Sequence, residues 1–262
     1  MQKTIKVSLV SVKGLIGVLY QAEPRNKSII LLLNGGPGFG DNKKFPHIKL
    51  LINQGYDLFI PDYYGSARSF GDIFSFSSCL ETISVSEQFL TGQLLYVDET
   101  SFIKKHLKYL NIILLGSSWG ASTIPSYFKN YTSSIKKVFL VNPVTSWGMF
   151  KSPYEEELDD TFLKSLTFWW NNHYRNVKKS DWVDVILGKI PEKIPLNNLK
   201  YLKGKKILIT HGNKDKIINW HRSLYLHQKL LELDIDSSLM IFKNCKHGMS
   251  SLKKTLEQLI DT

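Results

Sequence analysis

The stretch NIILLGSSWGA, residues 111–121, decides how the rest of the chain is interpreted. It places Ser118 between Gly116 and Gly120 at the spacing G-x-S-x-G, directly after a short apolar run. A reactive serine of this kind lies on a sharp turn between a buried strand and a helix. The same spacing also occurs by chance in small-residue loops, so it predicts a nucleophile only if the chain supplies the serine's partners.

Short, nearly continuous apolar runs recur on both sides of this stretch. Continuous apolarity indicates strands that are buried on both faces, as in a parallel sheet, and segments with helical spacing separate the runs. The first two predicted strands, 3–10 and 15–21, form a hairpin around Gly14. The other six are 28–33, 56–60, 111–116, 137–141, 206–210 and 238–242. The pattern predicts an α/β fold with a mostly parallel eight-stranded sheet and helices on both faces.

The alternation of strands and helices breaks between about residues 144 and 200. This stretch is helical and aromatic at first, and it ends in a proline-containing return linker. We therefore predict one core, residues 1–143 and 201–262, with residues 144–200 as an inserted lid. A chain of 262 residues does not require a second core. The stretch 65–92, rich in Ser and Phe, is predicted to be a long loop near the active edge.

Two residues downstream complete the chemistry that Ser118 needs. A serine hydroxyl becomes a good nucleophile when a base removes its proton, and a third group orients that base. Asp215 and His247 each stand five residues after a predicted strand, where the loops of a parallel sheet meet at one edge. Taken singly, Asp215 could form a turn and His247 could cap a helix. Their order along the chain predicts Ser118 as nucleophile, His247 as base and then acid, and Asp215 as the orienting carboxylate.

A glycine-rich loop follows the third predicted strand, in the run LLLNGGPGFG, residues 31–40. The tetrahedral intermediate of acyl transfer needs backbone N–H donors aimed at its oxyanion. Glycines let a backbone approach a substrate without a side chain in the way. We predict that the N–H groups of Gly36 and Trp119 form this oxyanion hole, although a plain Gly-Pro turn would also fit the residues.

Composition argues against several other functions. The net charge is +11, but the lysines are scattered in pairs, which favours a solvated basic surface over a nucleic-acid site. No run reaches about 18 apolar residues, so we expect no stable membrane insertion. The N-terminal region lacks the apolar core of a signal peptide. The two cysteines, Cys79 and Cys245, do not suggest a disulfide framework, so we predict a reducing, cytoplasmic location.

Other reactive residues fit no second site. His211, His221 and His227 lack the close spacing of metal ligands, so no metal and no cofactor is expected. The Cys79 thiol has no base placed beside it by the sequence, which favours a loop thiol over a nucleophile.

The chain resembles α/β-hydrolases of the proline iminopeptidase group. The matching motifs cover most of the chain outside the lid: NGGPG (34–38), DYYGSARS (62–69), GSSWG (116–120) and GNKD (212–215). Several positions depart from the group. Asn34 replaces a histidine, Tyr63 and Tyr64 replace Gln and Arg, and Ala67 replaces a glycine. The lid is also shorter than the cap of that group.

The resemblance implies a cofactor-free hydrolase that cleaves a small N-terminal residue from a short peptide through an acyl-enzyme. The group binds the free amine through acidic cap residues, for which the lid offers Glu155, Glu156 and Glu157, although acids at a helix start need no ligand. The aromatic residues Trp169, Trp170, His173 and Tyr174 either line a substrate pocket or pack the lid.

Two other functions stay open at this point. The departures from the group keep an esterase, thioesterase or acyl-transfer enzyme acting on a small metabolite or biosynthetic intermediate as the main alternative. A non-catalytic binding protein with a hydrolase pocket is the other, and the complete set of catalytic motifs argues against it. The sequence predicts a small-molecule or short peptide substrate and leaves the oligomeric state open.

Overall fold

The computed structural model describes residues 3–36, 47–146, 173–177 and 179–258. Within them, ten strands form one sheet in the order β10-β9-β8-β7-β3-β4-β2-β1-β5-β6. The strands are β1 Thr4–Val12, β2 Leu15–Glu23, β3 Ser28–Leu33, β4 Tyr56–Pro61, β5 Tyr96–Asp98, β6 Ile103–Lys105, β7 Asn111–Ser117, β8 Lys137–Val141, β9 Lys206–Gly212 and β10 Ser237–Phe242. The described helices are α1 Ile48–Asn53, α2 Phe76–Leu90, α3 Trp119–Asn130, α4 Lys179–Ile186, α5 His221–Glu232 and α6 Met249–Glu257.

Six neighbouring strands of the sheet, β10 to β4 in the spatial order, run parallel, and the others pair antiparallel. β3 lies at the centre, and its residues Ile29 to Leu33 are all buried. Ile29, Leu31 and Leu33 pack into one hydrophobic cluster, while Ile30 and Leu32 pack into a second. Alternate side chains of a strand point to opposite faces, so the two clusters are the two cores that helices cover. This arrangement confirms the predicted α/β fold class, including the N-terminal hairpin.

The sheet has ten strands where the sequence predicts eight. All eight predicted strands are present, and the two additional strands, β5 and β6, have three residues each. Three residues are too few to show either an alternating or a continuous apolar pattern, and Ile103 to Lys105 are mostly exposed.

The predicted loop over 65–92 is wrong for its second half, because α2 occupies residues 76–90. Ser75 caps this helix by accepting from the Ser78 backbone N–H, while the Ser78 hydroxyl accepts from the Ser75 backbone N–H. Thr82 and Ser86 donate their hydroxyls to carbonyls one turn back. Serine and threonine disfavour helices by competing for backbone groups, and here those bonds are compatible with the helix.

The predicted return linker forms two short 3-10 helices, Pro191–Lys193 and Pro195–Leu202. The second packs against α3, where the Asn198 side-chain amide donates to Ser126 Oγ at 3.1 Å. The end of the lid region is thus fixed to the helix that begins beside Ser118.

Candidate active site

Ser118 lies on a strained turn between β7 and α3. Its backbone has φ of 51° and ψ of −114°, a conformation that residues with a Cβ rarely adopt. The Ser118 backbone N–H donates to the Val141 carbonyl at the end of β8 at 2.8 Å, which fixes the turn to the neighbouring strand. Such strain persists only where the surrounding structure imposes it, and here the turn is held between β7, β8 and the start of α3.

The two glycines of the motif are required by close packing rather than by their own torsion angles. A methyl group on Gly116 would come within 2.6 Å of Ala121 Cα, so this glycine lets α3 approach β7. A methyl group on Gly120 would collide with the carbonyl oxygen of Leu33 at the end of β3. Both glycines therefore seat the start of α3 on the sheet, directly after Ser118.

Asp215 and His247 come together at the same edge of the sheet. His247 Nδ1 donates to Asp215 Oδ2 at 2.6 Å, and the Asp215 side chain is fully buried, whereas that of His247 is 18% exposed. Among the described residues no hydrogen bond joins Ser118 Oγ to His247. Catalytic hydrogen bonds are often long in a free enzyme and shorten when substrate binds, so the assignment of a triad stays a proposal.

The loops that carry Asp215 and His247 are bonded to each other. The backbone N–H groups of Asn213 and Lys214 donate to the carbonyls of Phe242 and Cys245 at 3.0 and 2.9 Å. Asn213 Oδ1 in turn accepts from the Asn244 backbone N–H at 2.8 Å. The acid and the base therefore sit on one bonded unit at the ends of β9 and β10.

Four N–H groups converge on the Asp215 carboxylate. Oδ1 accepts from the backbone N–H groups of Ile217 and Ile218 at 2.8 and 2.9 Å, and Oδ2 accepts from His247 and from His211 Nε2 at 3.1 Å. Burial works to raise the pKa of Asp215, but the hydrogen bonds from His211, His247 and Ile218 outweigh it and hold the pKa well below its usual range. The carboxylate is therefore ionised and can orient an imidazole. His211 was considered from the sequence only as a metal ligand, and its contact with Asp215 was not predicted.

The predicted oxyanion loop lies against Ser118 and Trp119. A methyl group on Gly36 would lie 3.8 Å from Trp119 Cβ, and one on Gly35 would lie 3.0 Å from Ser118 Cβ. The buried Tyr63 donates its hydroxyl to the Asn34 carbonyl at 2.8 Å and so supports the loop. The structure places Gly36 next to Trp119 and Gly35 next to Ser118, and the oxyanion hole formed by the N–H groups of Gly36 and Trp119 stays a prediction.

The segment 173–177, from the middle of the predicted lid, also lies beside the glycine-rich loop. Its backbone pairs with the loop after β4: Arg175 N–H donates to the Gly65 carbonyl at 2.8 Å, and Phe74 N–H donates to the Arg175 carbonyl at 2.9 Å. The Arg175 guanidinium donates to three more carbonyls of that loop, those of Ala67, Ser69 and Gly71.

These bonds hold Tyr174 next to the oxyanion loop. Its ring stacks on Phe74 with centroids 3.9 Å apart, and its hydroxyl would lie 3.6 Å from a Cβ on Gly36. Burial, with a smaller effect of Cys79, raises the pKa of Tyr174, so the hydroxyl keeps its proton and can donate. Tyr174, for which the sequence left both pocket lining and lid packing open, thus lies beside Gly36 of the glycine-rich loop.

The DYYGSARS stretch has a structural role in the described structure. Asp62 is fully buried and accepts from Arg68 through both carboxylate oxygens, at 2.7 and 3.1 Å. Ser69 accepts from the Ile16 backbone N–H and donates to the Asp62 carbonyl. These bonds fix the loop on which Arg175 and Tyr174 rest.

Several other candidates are placed, and some lie outside the described residues. Cys79 is fully buried, and burial raises the pKa of its thiol, so it is a poor nucleophile. No group of three potential metal ligands occurs in the described part of the chain. None of the described helices is long and apolar enough to cross a membrane. The predicted substrate contacts Glu155, Glu156, Glu157, Trp169 and Trp170 lie outside the described residues.

Comparison with known proteins agrees with the α/β fold described above. The alpha/beta hydrolase fold family matches residues 28–200. A mitochondrial palmitoyl-protein thioesterase, ABHD10 of Pongo abelii, is 26% identical over 156 residues, which are 57% of this chain and 42% of the relative. The chain thus spans less than half of that relative's length.

Two solved structures share the fold. Carboxyl esterase 2 of Tuber melanosporum has a TM-score of 0.66 at 20% identity, covering 99% of this chain and 85% of the esterase. A puromycin-hydrolyzing peptidase of Mycobacterium tuberculosis has a TM-score of 0.66 at 12% identity, covering 99% of this chain and 39% of the peptidase. These matches support the prediction of a serine hydrolase without singling out the proline iminopeptidase group. The chain belongs to the α/β-hydrolase fold family.

Proposed function

We propose that this protein is a serine hydrolase that cleaves a carboxylic ester or thioester through an acyl-enzyme at Ser118. The observation that carries the proposal is the 2.6 Å Asp215–His247 pair, held at the same sheet edge as the strained Ser118 turn. Strain at a residue with a reactive side chain, together with a buried carboxylate oriented toward a histidine, is typical of a functional site.

The mechanism uses only side chains and backbone groups of this chain. His247 takes the proton from Ser118 Oγ as the oxygen attacks the acyl carbon, and Asp215 stabilises the imidazolium that forms. The N–H groups of Gly36 and Trp119 stabilise the oxyanion. The bond to the alcohol or thiol then breaks, and His247 gives that leaving group its proton. Water, activated by His247, attacks the acyl-enzyme and releases the acid and free Ser118.

The described surroundings of Ser118 favour an apolar acyl group. The Trp119 ring contacts Phe76 and Trp182, with centroids 6.0 and 4.9 Å away, and Trp182 stacks on Phe74. Among the described residues, the ammonium group of Lys193 lies 5.7 Å from the centre of the Phe76 ring in this aromatic layer. An aminopeptidase substrate would bring a second cation, which needs a carboxylate partner where water is scarce. We therefore place ester and thioester cleavage ahead of the iminopeptidase-like reaction, reversing their order in the sequence analysis.

The second candidate is the iminopeptidase-like cleavage of a small N-terminal residue. It is favoured by the four motifs shared with that group and by the carboxylates Glu155 to Glu157 in the lid sequence. Whether water or another acceptor takes the acyl group is a further choice within either reaction, as is the substrate itself. We retain the predicted lid over 144–200 and the cytoplasmic location as parts of this proposal.

A substrate panel with a covalent probe tests the proposal. A fluorophosphonate should label Ser118, and Ser118→Ala should abolish labelling, whereas Ser101→Ala, at an exposed serine in the turn between β5 and β6, should not. p-Nitrophenyl esters and acyl thioesters should be cleaved with a kcat/KM at least about tenfold above that of aminoacyl-arylamides. Faster cleavage of arylamides with a free amine would favour the second candidate. A protein that neither reacts with the probe nor cleaves any substrate would be a binding protein.

A further inference from the structure

We propose that His211, supported by Ser223, is a positioning residue that holds Asp215 in the orientation needed by His247. This inference rests on the proposed function, because it assigns a role within the Ser118–His247–Asp215 unit. His211 is the sixth residue of β9 and stands four residues before Asp215. Both His211 and Ser223 are fully buried.

The hydrogen-bond partners of His211 fix which ring nitrogen carries a proton. Nε2 lies 3.0 Å from the Ile218 carbonyl oxygen and 3.1 Å from Asp215 Oδ2. Both oxygens are acceptors, so Nε2 must carry a hydrogen and donate. Nδ1 lies 2.7 Å from Ser223 Oγ, and in a neutral ring it accepts from that hydroxyl. The two oxygens at Nε2 therefore fix the tautomer, and Ser223, on α5, complements it by donating to Nδ1.

The contact between His211 and Asp215 affects His247 because Asp215 Oδ2 accepts hydrogen bonds from both histidines. Its other oxygen is held by the backbone N–H groups of Ile217 and Ile218, whereas Oδ2 receives only side-chain donors, from His211 and His247. Without His211, Oδ2 would lose one of its two recorded donors in a fully buried position. The carboxylate could then rotate about its side-chain torsion, and its full negative charge would act on His247.

Two consequences follow for catalysis. A less restrained carboxylate orients His247 poorly for proton transfer from Ser118, which lowers kcat more than it changes KM. A carboxylate that no longer shares its charge with His211 holds the protonated form of His247 more strongly. The acid limb of the pH profile of kcat/KM then moves to higher pH. Asp215, and through it His247, are the titratable groups joined to His211 by the recorded hydrogen bonds.

The test compares substitutions that keep or remove the Nε2 donor. His211→Phe keeps the ring volume and removes the donor, while the side-chain amide of His211→Gln can place an N–H near the same point. Loss of a hydrogen bond to a charged group predicts that kcat falls about 10- to 100-fold in His211→Phe. We expect His211→Gln to recover most of this loss, and Ser223→Ala to show a smaller loss of the same kind.

The matched control is His227→Ala. His227, on α5, also forms a histidine–serine pair, with Ser237 Oγ of β10 at 3.0 Å, and among the described residues it has no hydrogen bond to Asp215. The readouts are kcat, KM, the pH profile with the ester substrate and the melting temperature of each variant. If His211→Phe does not fold, His211→Gln and Ser223→Ala decide the question through their pH profiles.

The outcomes separate this inference from the proposed function. The positioning role is supported if the acid limb of the kcat/KM profile moves to higher pH in His211→Phe and Ser223→Ala. The limb should not move in His227→Ala, and it should return toward the wild-type pH in His211→Gln. An unchanged or lowered acid limb, or a kcat loss that follows only the loss of stability, overturns it. Retained esterase activity in Ser118→Ala would instead overturn the proposed function, whatever the His211 variants show.

Discussion

Replacing Ser118 by glycine should raise the free energy of unfolding above that of the Ser118→Ala variant. The Ser118 backbone is held at φ 51° and ψ −114°, and a non-glycine residue in a sparsely populated conformation costs about 1–3 kcal/mol. Glycine adopts positive φ readily, so the substitution removes that strain. Ser118→Ala is the matched control, because it removes the same hydroxyl while keeping the Cβ that causes the strain.

The expected gain is smaller than the strain itself. Glycine loses more backbone entropy on folding, which offsets about 0.5–1 kcal/mol. The net difference in the free energy of unfolding between Ser118→Gly and Ser118→Ala is then on the order of 1 kcal/mol. For a domain of this size that corresponds to a rise in Tm of about 2–4 °C.

Urea unfolding and calorimetry on the two variants measure this difference directly. Both variants should lose fluorophosphonate labelling, so any difference in stability between them reports on the backbone alone. A Ser118→Gly variant that is no more stable than Ser118→Ala would refute the reasoning, because it would show that the surrounding strands do not hold Ser118 in a strained conformation. The same result would weaken the argument that strain marks Ser118 as the reactive serine.

Three further substitutions test the roles of Asp215, Tyr174 and Arg175. Asp215→Asn should lower kcat by several orders of magnitude. Folding lowers the pKa of Asp215, so its ionised form stabilises the fold above about pH 4, and this contribution decreases as the pH falls further. The difference in the free energy of unfolding between wild type and Asp215→Asn, measured by urea titration, should therefore become smaller below about pH 4. Tyr174→Phe should lower kcat about tenfold if the hydroxyl donates to the reacting acyl group, and full activity with esters would exclude that contact. Arg175→Met removes three recorded hydrogen bonds to backbone carbonyls and should lower the free energy of unfolding by about 1–3 kcal/mol, with little effect expected if the segment 173–177 is held by its backbone pairing alone.

The sheet and the Ser118 turn were predictable because their signals are local. A strand buried on both faces must be apolar at every position, which Ile29 to Leu33 show directly. The close approach of α3 to β7 and β3 admits only glycine at 116 and 120, so these two glycines in the sequence already indicate the close packing. Asp215 and His247 were found because both follow strands whose ends meet at one edge.

The features that sequence analysis missed depend on contacts between distant segments. α2 was taken for a loop because its serines and threonines disfavour helices in isolation, and only the structure shows their hydroxyls bonded within the helix. Arg175 donates to backbone carbonyls of the loop from Ala67 to Gly71, about a hundred residues earlier in the chain. Because every residue has a backbone carbonyl, the residue types do not indicate which carbonyls accept these hydrogen bonds. One feature of the sequence could have indicated the contact between His211 and Asp215, namely that His211 lies at the end of a buried strand, four residues before Asp215.

Two positions that differ from the iminopeptidase motifs, Tyr63 and Ala67, contribute to the contacts between the segment 173–177, the loop after β4 and the glycine-rich loop. Tyr63, in place of a glutamine, supports the oxyanion loop through the Asn34 carbonyl. Ala67, in place of a glycine, has φ of 40°, and this conformation is stabilised from the lid side, since its N–H donates to the His173 carbonyl and its own carbonyl accepts from Arg175. The loop and the segment 173–177 therefore stabilise each other, and the same bonds bring Tyr174 to Gly36. Because Tyr63 and Ala67 contact the glycine-rich loop and the segment 173–177, we propose that these departures change which substrate is accepted rather than the proposed chemistry of Ser118, His247 and Asp215.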